Sequence, residues 1–250
     1  MVTMTKTLAF KNNEVIKKND IPSLDFNEFE HIISDTHYRV SNLFIDKQEY
    51  KNTMYAILAD DNNAELSIVS TIVGNEYPSL TLKRSSVHMF EREIYENYGI
   101  MPLGHPFLKP VRVNDGYEFL KSDDNQSHEV AVGPVHAGII EPGHFRFLCQ
   151  GERVMHLEIQ LGWQHKGVEK LMVKKPSIQL AESICGDTTI GHSMTFASGI
   201  EALSGIKVSK RAQTIRKIAL EMERMAIHIG DIGAIAGDIA YLMGSEVLGV

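Results

Sequence analysis

Cysteine is scarce in this 250-residue chain, in which only Cys149 and Cys185 occur. Two isolated cysteines do not make a disulfide framework, so we expect both thiols to be reduced. They are also too few for a zinc site built from clustered cysteine and histidine ligands.

Long apolar runs and an excess of positive charge are lacking as well. The nearest approach to a membrane span, residues 232–250, is interrupted by Asp238, Ser245 and Glu246, so no segment reaches the roughly 18 apolar residues that cross a bilayer. Residues 1–20 contain no apolar core of a secretory signal, and we expect a cytoplasmic location. The formal net charge of −7 and the pI near 5.9 argue against a nucleic-acid-binding protein, whose surface should be basic.

Short helical and strand-like patterns alternate up to about residue 113. Helices are predicted at residues 24–33, at residues 46–58 with Asp46 as the N-cap, and at residues 88–98 before Gly99. Strands are predicted at residues 65–72 and 80–84. A mixture of this kind predicts the α+β class.

A polar, acidic stretch without periodicity follows and is the best linker in the chain. Beyond it, strand patterns occupy residues 129–132, 144–149 and 154–163, and helical patterns occupy residues 177–203 and 211–243. We therefore predict a mixed domain at 1–115, a linker at 116–127, and a small β unit leading into the start of a helical bundle at 128–250. Because Val250 lies within an apolar stretch, we expect a bundle that is truncated or completed by another chain.

Four separated segments carry motifs. They are residues 91–99 (EREIYENYG) with 104–108 (GHPFL), residues 133–147 (GPVHAGIIEPGHFRF), residues 165–170 (HKGVEK) and residues 182–192 (ESICGDTTIGH). The first resembles the thirty-kilodalton subunit of respiratory complex I, and the third resembles its forty-nine-kilodalton subunit. The second and fourth resemble the large subunit of membrane-bound nickel–iron hydrogenases. In this order they resemble a fused thirty- and forty-nine-kilodalton subunit, of the kind also found in formate-hydrogenlyase and energy-converting hydrogenases.

The fourth motif departs from the pattern Arg-x-Cys-Gly-x-Cys-x-x-x-His that it resembles. Ser183 stands for the arginine and Thr188 for the second cysteine, whereas Cys185 and His192 match. The resembling enzymes hold nickel and iron with four cysteines, and a neutral hydroxyl is a poor substitute for a thiolate. We therefore expect no nickel–iron centre, with Cys185 either a single weak metal ligand or an unligated residue of the core.

The helical pattern predicted at residues 177–203 gives two further expectations about this motif. Cys185 and His192 lie seven residues apart, which on a continuous helix places them on nearly the same face. Asp187 or Thr188 is expected to cap that helix.

The resemblance implies roles for three other residues. A glutamate in the hydrogenase loop passes protons, which implies that role for Glu141 and requires a carboxyl group that is partly desolvated. Glu141 and His144 lie close together on a tight turn and could face one cavity as a proton-transfer pair, with a solvent-exposed turn as the alternative. His192 would line the pocket near the metal site, or else form a hydrogen bond in the core.

In complex I the vacated metal pocket receives a quinone headgroup through a histidine and a tyrosine. The corresponding positions here hold Pro142 and Gly186, so neither ligand is matched. Residues 165–170 would face a partner subunit or solvent. Residues 91–93, a Glu-Arg-Glu sequence, are expected to form an interface or a salt-bridged surface.

The expected function is that of a subunit in a membrane-associated oxidoreductase complex that couples electron transfer to proton or ion translocation. The resemblance implies an iron–sulfur small subunit that holds the cluster, membrane subunits through which alone the chain meets the bilayer, and a peripheral position on its cytoplasmic side. No cofactor is expected on this chain alone, and it has no GxGxxG nucleotide loop. The alternatives are a non-catalytic scaffold or truncated remnant and, third, an active hydrogenase large subunit.

Overall fold

The computed structural model describes residues 6–112, 116–122, 125–136 and 142–249. The chain divides into two compact units, one of residues 1–135 and 142–163 and the other of residues 136–141 and 164–250. Helices and sheets are both present, which confirms the α+β class. The predicted domain boundaries at 1–115, 116–127 and 128–250 concern family relationship and stay a prediction.

A five-stranded sheet forms the centre of the first unit. Its strands are β1 (Leu8–Phe10), β2 (Ser23–Leu24), β3 (Arg39–Lys47), β4 (Asn52–Asp60) and β5 (Glu65–Val73), in the order β1-β5-β4-β3 with β2 parallel to β5. The helix predicted from Asp46 is wrong, because this segment forms the β3–β4 hairpin. Residues on both faces of the central strand β4 are buried, and its continuous apolar run therefore lacked the alternation that marks a strand.

Two helices cover the core of this sheet as predicted. Helix α1 (Phe26–Asp35) begins at Asp25, whose carboxylate accepts the Glu28 N–H at 2.9 Å, and buries Phe29. Helix α2 (His88–Tyr98) ends at Gly99, whose φ of 68° is a left-handed conformation that glycine adopts without strain.

Residues 80–84 do not form the predicted strand. Leu80–Leu82 is a short 3-10 helix that follows β6 (Glu76–Pro78), and β6 pairs in parallel with β7 (Met101–Leu103). The N–H groups that a strand would offer to a neighbour are bound instead by a carboxylate of α2. This is a tertiary contact that local propensity does not contain.

A second, antiparallel sheet completes the first unit. Its strands are β8 (Ser127–Val132), β9 (His144–Gln150) and β10 (Arg153–Gln160), in the order β10-β9-β8. All three were predicted, the first two beside the Gly-Pro and Pro-Gly turns and the third from its apolar alternation.

The second unit consists of helices. They are α3 (Val168–Lys174), α4 (Ile178–Glu182), α5 (Thr189–Ser204), α6 (Lys210–Asp238) and α7 (Leu242–Leu248). The first long helical stretch is interrupted between α4 and α5, at the cysteine motif, and the second is interrupted between α6 and α7. Among the described residues of α6 only Gly233 and Ala236 are buried.

Most of the apolar stripe of α6 is therefore exposed. Its larger side chains are 42–65% exposed at Ile215, Ile218, Met222, Met225, Ile229, Ile232 and Ile235. None of the helices within the described ranges combines the length and apolarity needed to cross a bilayer.

Candidate functional site

The cysteine motif lies at a break between two helices of the second unit. Helix α4 ends at Glu182, Gly186–Thr188 is a 3-10 turn, and α5 starts at Thr189. The half-buried Cys185 thus precedes the helix that carries His192. The predicted shared face on a continuous helix is wrong, because the chain turns between the two residues.

Helix α5 is capped by a residue that the sequence did not indicate. Glu223 of α6 accepts the Ile190 N–H at 2.6 Å and the Gly191 N–H at 3.1 Å. The Thr188 hydroxyl lies 3.5 Å from the same carboxylate, and neither Thr188 nor Asp187 provides a side-chain cap. A negative charge at these N–H groups is also favoured by the helix dipole.

The donor atoms of this motif do not fit a nickel–iron centre. Cys185 is its single thiol, and the Thr188 hydroxyl is directed towards Glu223. A neutral hydroxyl in this position does not replace the thiolate that a soft metal prefers. Across the ranges that the structure describes, no group of three or more His, Cys, Asp or Glu residues could hold a metal ion. The absence of a bound cofactor on this chain stays a prediction.

The HKGVEK segment leads into α3 and contacts the cysteine motif from one side. Lys166 Nζ donates to the Ser183 carbonyl at 3.0 Å. An open cavity of about 580 Å³ lies here, lined by His165, Glu169 and Ile184 among others. The lysine of the motif therefore supports a neighbouring loop of its own chain.

His144 is buried at the start of β9, whereas Glu141 lies outside the described residues. Its Nδ1 is 3.0 Å from the Gly133 carbonyl oxygen, which can only accept, so in the neutral imidazole the proton lies on Nδ1 and the lone pair on Nε2. Nε2 has no hydrogen-bond partner in the described part of the chain. The proton-transfer role of Glu141 and His144 and the pocket role of the half-buried His192 stay predictions.

A buried carboxylate holds the predicted linker against the second sheet. Glu158 of β10 is 3% exposed, accepts the Tyr117 hydroxyl and the Leu120 N–H at 2.9 Å each, and forms an ion pair with Lys109. Burial opposes ionisation of Glu158, but these bonds outweigh it and leave its pKa below the ordinary value. Phe119 of the same segment packs on the His144 ring, with 5.0 Å between centroids. Residues 116–122 are therefore bound to the sheet over much of their length.

Residues 91–93 were expected to form an interface or a salt-bridged surface. This expectation is wrong for Glu91 and Arg92, which are buried. Glu91 is 0% exposed and accepts four hydrogen bonds, from the Ser79 and Thr81 hydroxyls and from the Leu80 and Thr81 N–H groups. Burial raises the pKa of the Tyr77 phenol, and the nearby Glu91 charge adds to this.

Arg92 is buried too. It donates to the Lys109 carbonyl at 2.7 Å and to the Pro110 carbonyl at 2.8 Å, above the Phe107 ring. Only Glu93 forms the expected surface ion pair, at 3.0 Å from Arg112. Helical spacing could have revealed Glu91, because it lies on the same face as the buried Val87 and Ile94.

Known proteins are similar to this chain over much of its length. Residues 21–129 match the family described as "Respiratory-chain NADH dehydrogenase, 30 Kd subunit". Hydrogenase-4 component G of Escherichia coli (strain K12) is 30% identical over an alignment of 189 residues, and the match covers 63% of this chain and 34% of that protein. Formate hydrogenlyase subunit 5 of the same organism is 31% identical over an alignment of 190 residues, and the match covers 63% of this chain and 33% of that protein.

A third relative extends the similarity along the chain. The C/D subunit of NADH-quinone oxidoreductase from Phocaeicola vulgatus is 25% identical over an alignment of 234 residues, and the match covers 74% of this chain and 45% of that protein. The chain spans about a third of the length of the two hydrogenase relatives. Residues 21–129 are thus similar to the 30 kDa-type subunit, and a larger part of the chain is similar to subunits of hydrogenase and NADH-quinone oxidoreductase complexes.

Proposed function

We propose that this protein is a subunit of a membrane-associated oxidoreductase complex that couples electron transfer to proton or ion translocation. The observation that carries this is the ordered set of four motifs, together with similarity to a hydrogenase-4 component and a formate hydrogenlyase subunit over 63% of the chain. In the proposed complex, electrons arrive from an iron–sulfur cluster on a small partner subunit. Membrane subunits provide the contact with the bilayer, and this chain lies on the cytoplasmic side. The chain is also proposed to combine a 30 kDa-type part with the first part of a 49 kDa-type subunit.

Within such a complex, residues 1–115 would act as a docking domain. The buried Glu91 and Arg92 bonds support this, because they fix the loops at residues 79–81 and 105–110 to α2. A partner that recognises these loops would meet a surface whose shape is already set, which lowers the entropic cost of association.

The proposed proton-transfer pair is Glu141 and His144. The geometry of His144 supports its part, because the Gly133 carbonyl fixes the tautomer and leaves a buried Nε2 lone pair able to accept a proton. General acid–base groups of this kind contribute about a hundredfold or more to rate.

The test is electron transfer and proton translocation by the purified complex carrying substitutions in this chain. Glu141→Gln removes the titratable group. His144→Asn removes Nε2 but keeps an amide N–H that can bond to the Gly133 carbonyl. We expect each variant to lower coupled turnover by about tenfold or more. Glu152→Gln, in the exposed turn between β9 and β10, is the control and should leave turnover unchanged. Full turnover in both variants would refute the proton-transfer role.

A non-catalytic scaffold is the second candidate. It is favoured by Thr188, which stands at the position of a metal-binding cysteine and is directed towards Glu223. Absence of any turnover in an intact complex that contains this chain and its iron–sulfur partner would support the scaffold. Stoichiometric nickel in the chain would instead support an active hydrogenase subunit.

A further inference from the structure

Three features meet where the cysteine motif joins α5. Glu223 accepts two N–H groups from the first turn of α5, at 2.6 and 3.1 Å. Thr188 directs its hydroxyl towards the same carboxylate at 3.5 Å. The first turn of a helix otherwise leaves its N–H groups without intrahelical partners.

Gly191 makes this arrangement possible. A Cβ atom at Gly191 would lie 2.4 Å from Thr188 Oγ1 and 3.8 Å from a Glu223 carboxylate oxygen. The first distance is shorter than any normal contact, so a larger residue would displace Thr188. The close approach of the turn, the helix and Glu223 thus depends on glycine at this position.

We propose that Glu223 holds residues 185–192 in place without a metal ion. Its carboxylate connects α6 to the start of α5, and so fixes the segment in which the resembling hydrogenase motif has a second cysteine. The loop that carries Cys185 is then formed by contacts within the chain itself. This inference concerns local structure and is independent of whether the complex transfers electrons.

The arrangement has a consequence for Cys185. The turn Gly186–Thr188 connects Cys185 to the capped helix, and the Thr188 N–H bonds back to the Cys185 carbonyl at 3.3 Å. Loss of the Glu223 contacts should release this turn and increase the exposure of the half-buried thiol. Cys149, which is 8% exposed in the first unit, provides an internal reference thiol in the same molecule.

The test is hydrogen exchange at the Ile190 and Gly191 amides of the full chain, together with the rate at which Cys185 reacts with a disulfide reagent. In Glu223→Ala we expect both amides to exchange about tenfold faster, as for loss of a helix cap, and Cys185 to react faster relative to Cys149. In Glu223→Gln only one accepting oxygen remains, so one of the two amides should lose protection while the other keeps it. Glu221→Ala is the matched control, because Glu221 is exposed on the same helix and pairs only with Arg224 at 3.5 Å.

The same measurements are repeated with a chelator and with added nickel. We expect neither to change the protection of the two amides in the unsubstituted chain. Unchanged protection in both Glu223 variants would overturn the proposal, and so would a loss of protection on chelation. If Glu223→Ala does not fold, the Glu223→Gln exchange pattern decides between these outcomes.

Discussion

Replacing Glu91 by Gln tests whether a buried carboxylate stabilises the first unit. One of its oxygens accepts the Ser79 hydroxyl at 2.7 Å, the Thr81 hydroxyl at 2.5 Å and the Thr81 N–H at 3.0 Å. The other accepts the Leu80 N–H at 2.9 Å. All four donors therefore depend on one side chain with no exposed surface.

Glutamine has the same shape but only one accepting oxygen. If that oxygen takes the position with three donors, the new NH₂ group faces the Leu80 N–H, and one charge-assisted hydrogen bond is replaced by two opposed donors. Loss of such a bond together with a buried unpaired donor corresponds to about 2–3 kcal/mol of unfolding free energy. Alanine removes the acceptor of all four donors and leaves a cavity, with only the Thr81 N–H keeping a second acceptor, the Ser79 hydroxyl at 3.3 Å, and we expect a loss above about 4 kcal/mol.

Urea unfolding followed by hydrogen exchange at the α2, β4 and β5 amides measures the stability of this unit separately from the other. Glu93→Gln is the matched control two residues away, because Glu93 makes a partly exposed ion pair with Arg112 and a long, exposed hydrogen bond from Asn97 at 3.4 Å, and we expect a change below about 1 kcal/mol. If Glu91→Gln unfolds at the same urea concentration as the control, the carboxylate does not provide the stabilisation that its contacts imply.

Three further predictions concern the same unit. Hydrogen bonds and the ion pair leave the pKa of Glu158 in the folded protein below its unfolded value. The stability that Glu158 contributes is therefore present above about pH 4.3 and is lost as the pH falls through the lower folded pKa. In urea unfolding, Glu158→Gln should reduce the dependence of stability on pH in this acidic range. Gly162 has a φ of 89°, and a Cβ added there would lie 2.4 Å from the Val111 carbonyl oxygen, so Gly162→Ala should lower the free energy of unfolding by about 2 kcal/mol or more. Gly151 has a φ of 59° and open space around it, so Gly151→Ala should lower it by about 1 kcal/mol in the same assay. Arg92→Lys keeps the charge but not the two-carbonyl geometry, and should speed hydrogen exchange in residues 105–112 by about tenfold.

Elements whose burial is one-sided were predictable from the sequence. Helix α1 shows the apolar spacing that buries Phe29, Ile32 and Ile33 on one side. Strand β4 was predicted as a helix because both of its faces are buried. Its apolar residues therefore show no alternation, and such a run fits a helix or a strand equally well. The strand predicted at residues 80–84 is wrong because the Leu80 and Thr81 N–H groups are bound by Glu91, which belongs to a later helix.

The altered cysteine motif can be recognised in the sequence, but the contacts that hold it in the fold cannot. Thr188, at the position where the resembling motif has a cysteine, is visible in the sequence alone. The cap on α5 was not predictable, because Glu223 is separated from Ile190 by 33 positions and reads locally as an ordinary charge on a helix surface. Local capping rules therefore favoured Asp187 and Thr188.

Lys109 uses its backbone and its side chain in different directions. Its carbonyl accepts from Arg92 of α2, and its ammonium group pairs with Glu158 of β10. Opening of either element therefore removes an interaction that orders the other, so the two should unfold cooperatively. A double-mutant cycle between Arg92 and Glu158, which both bind Lys109, should accordingly give free energies of unfolding that do not add, because this lysine couples the helix to the strand.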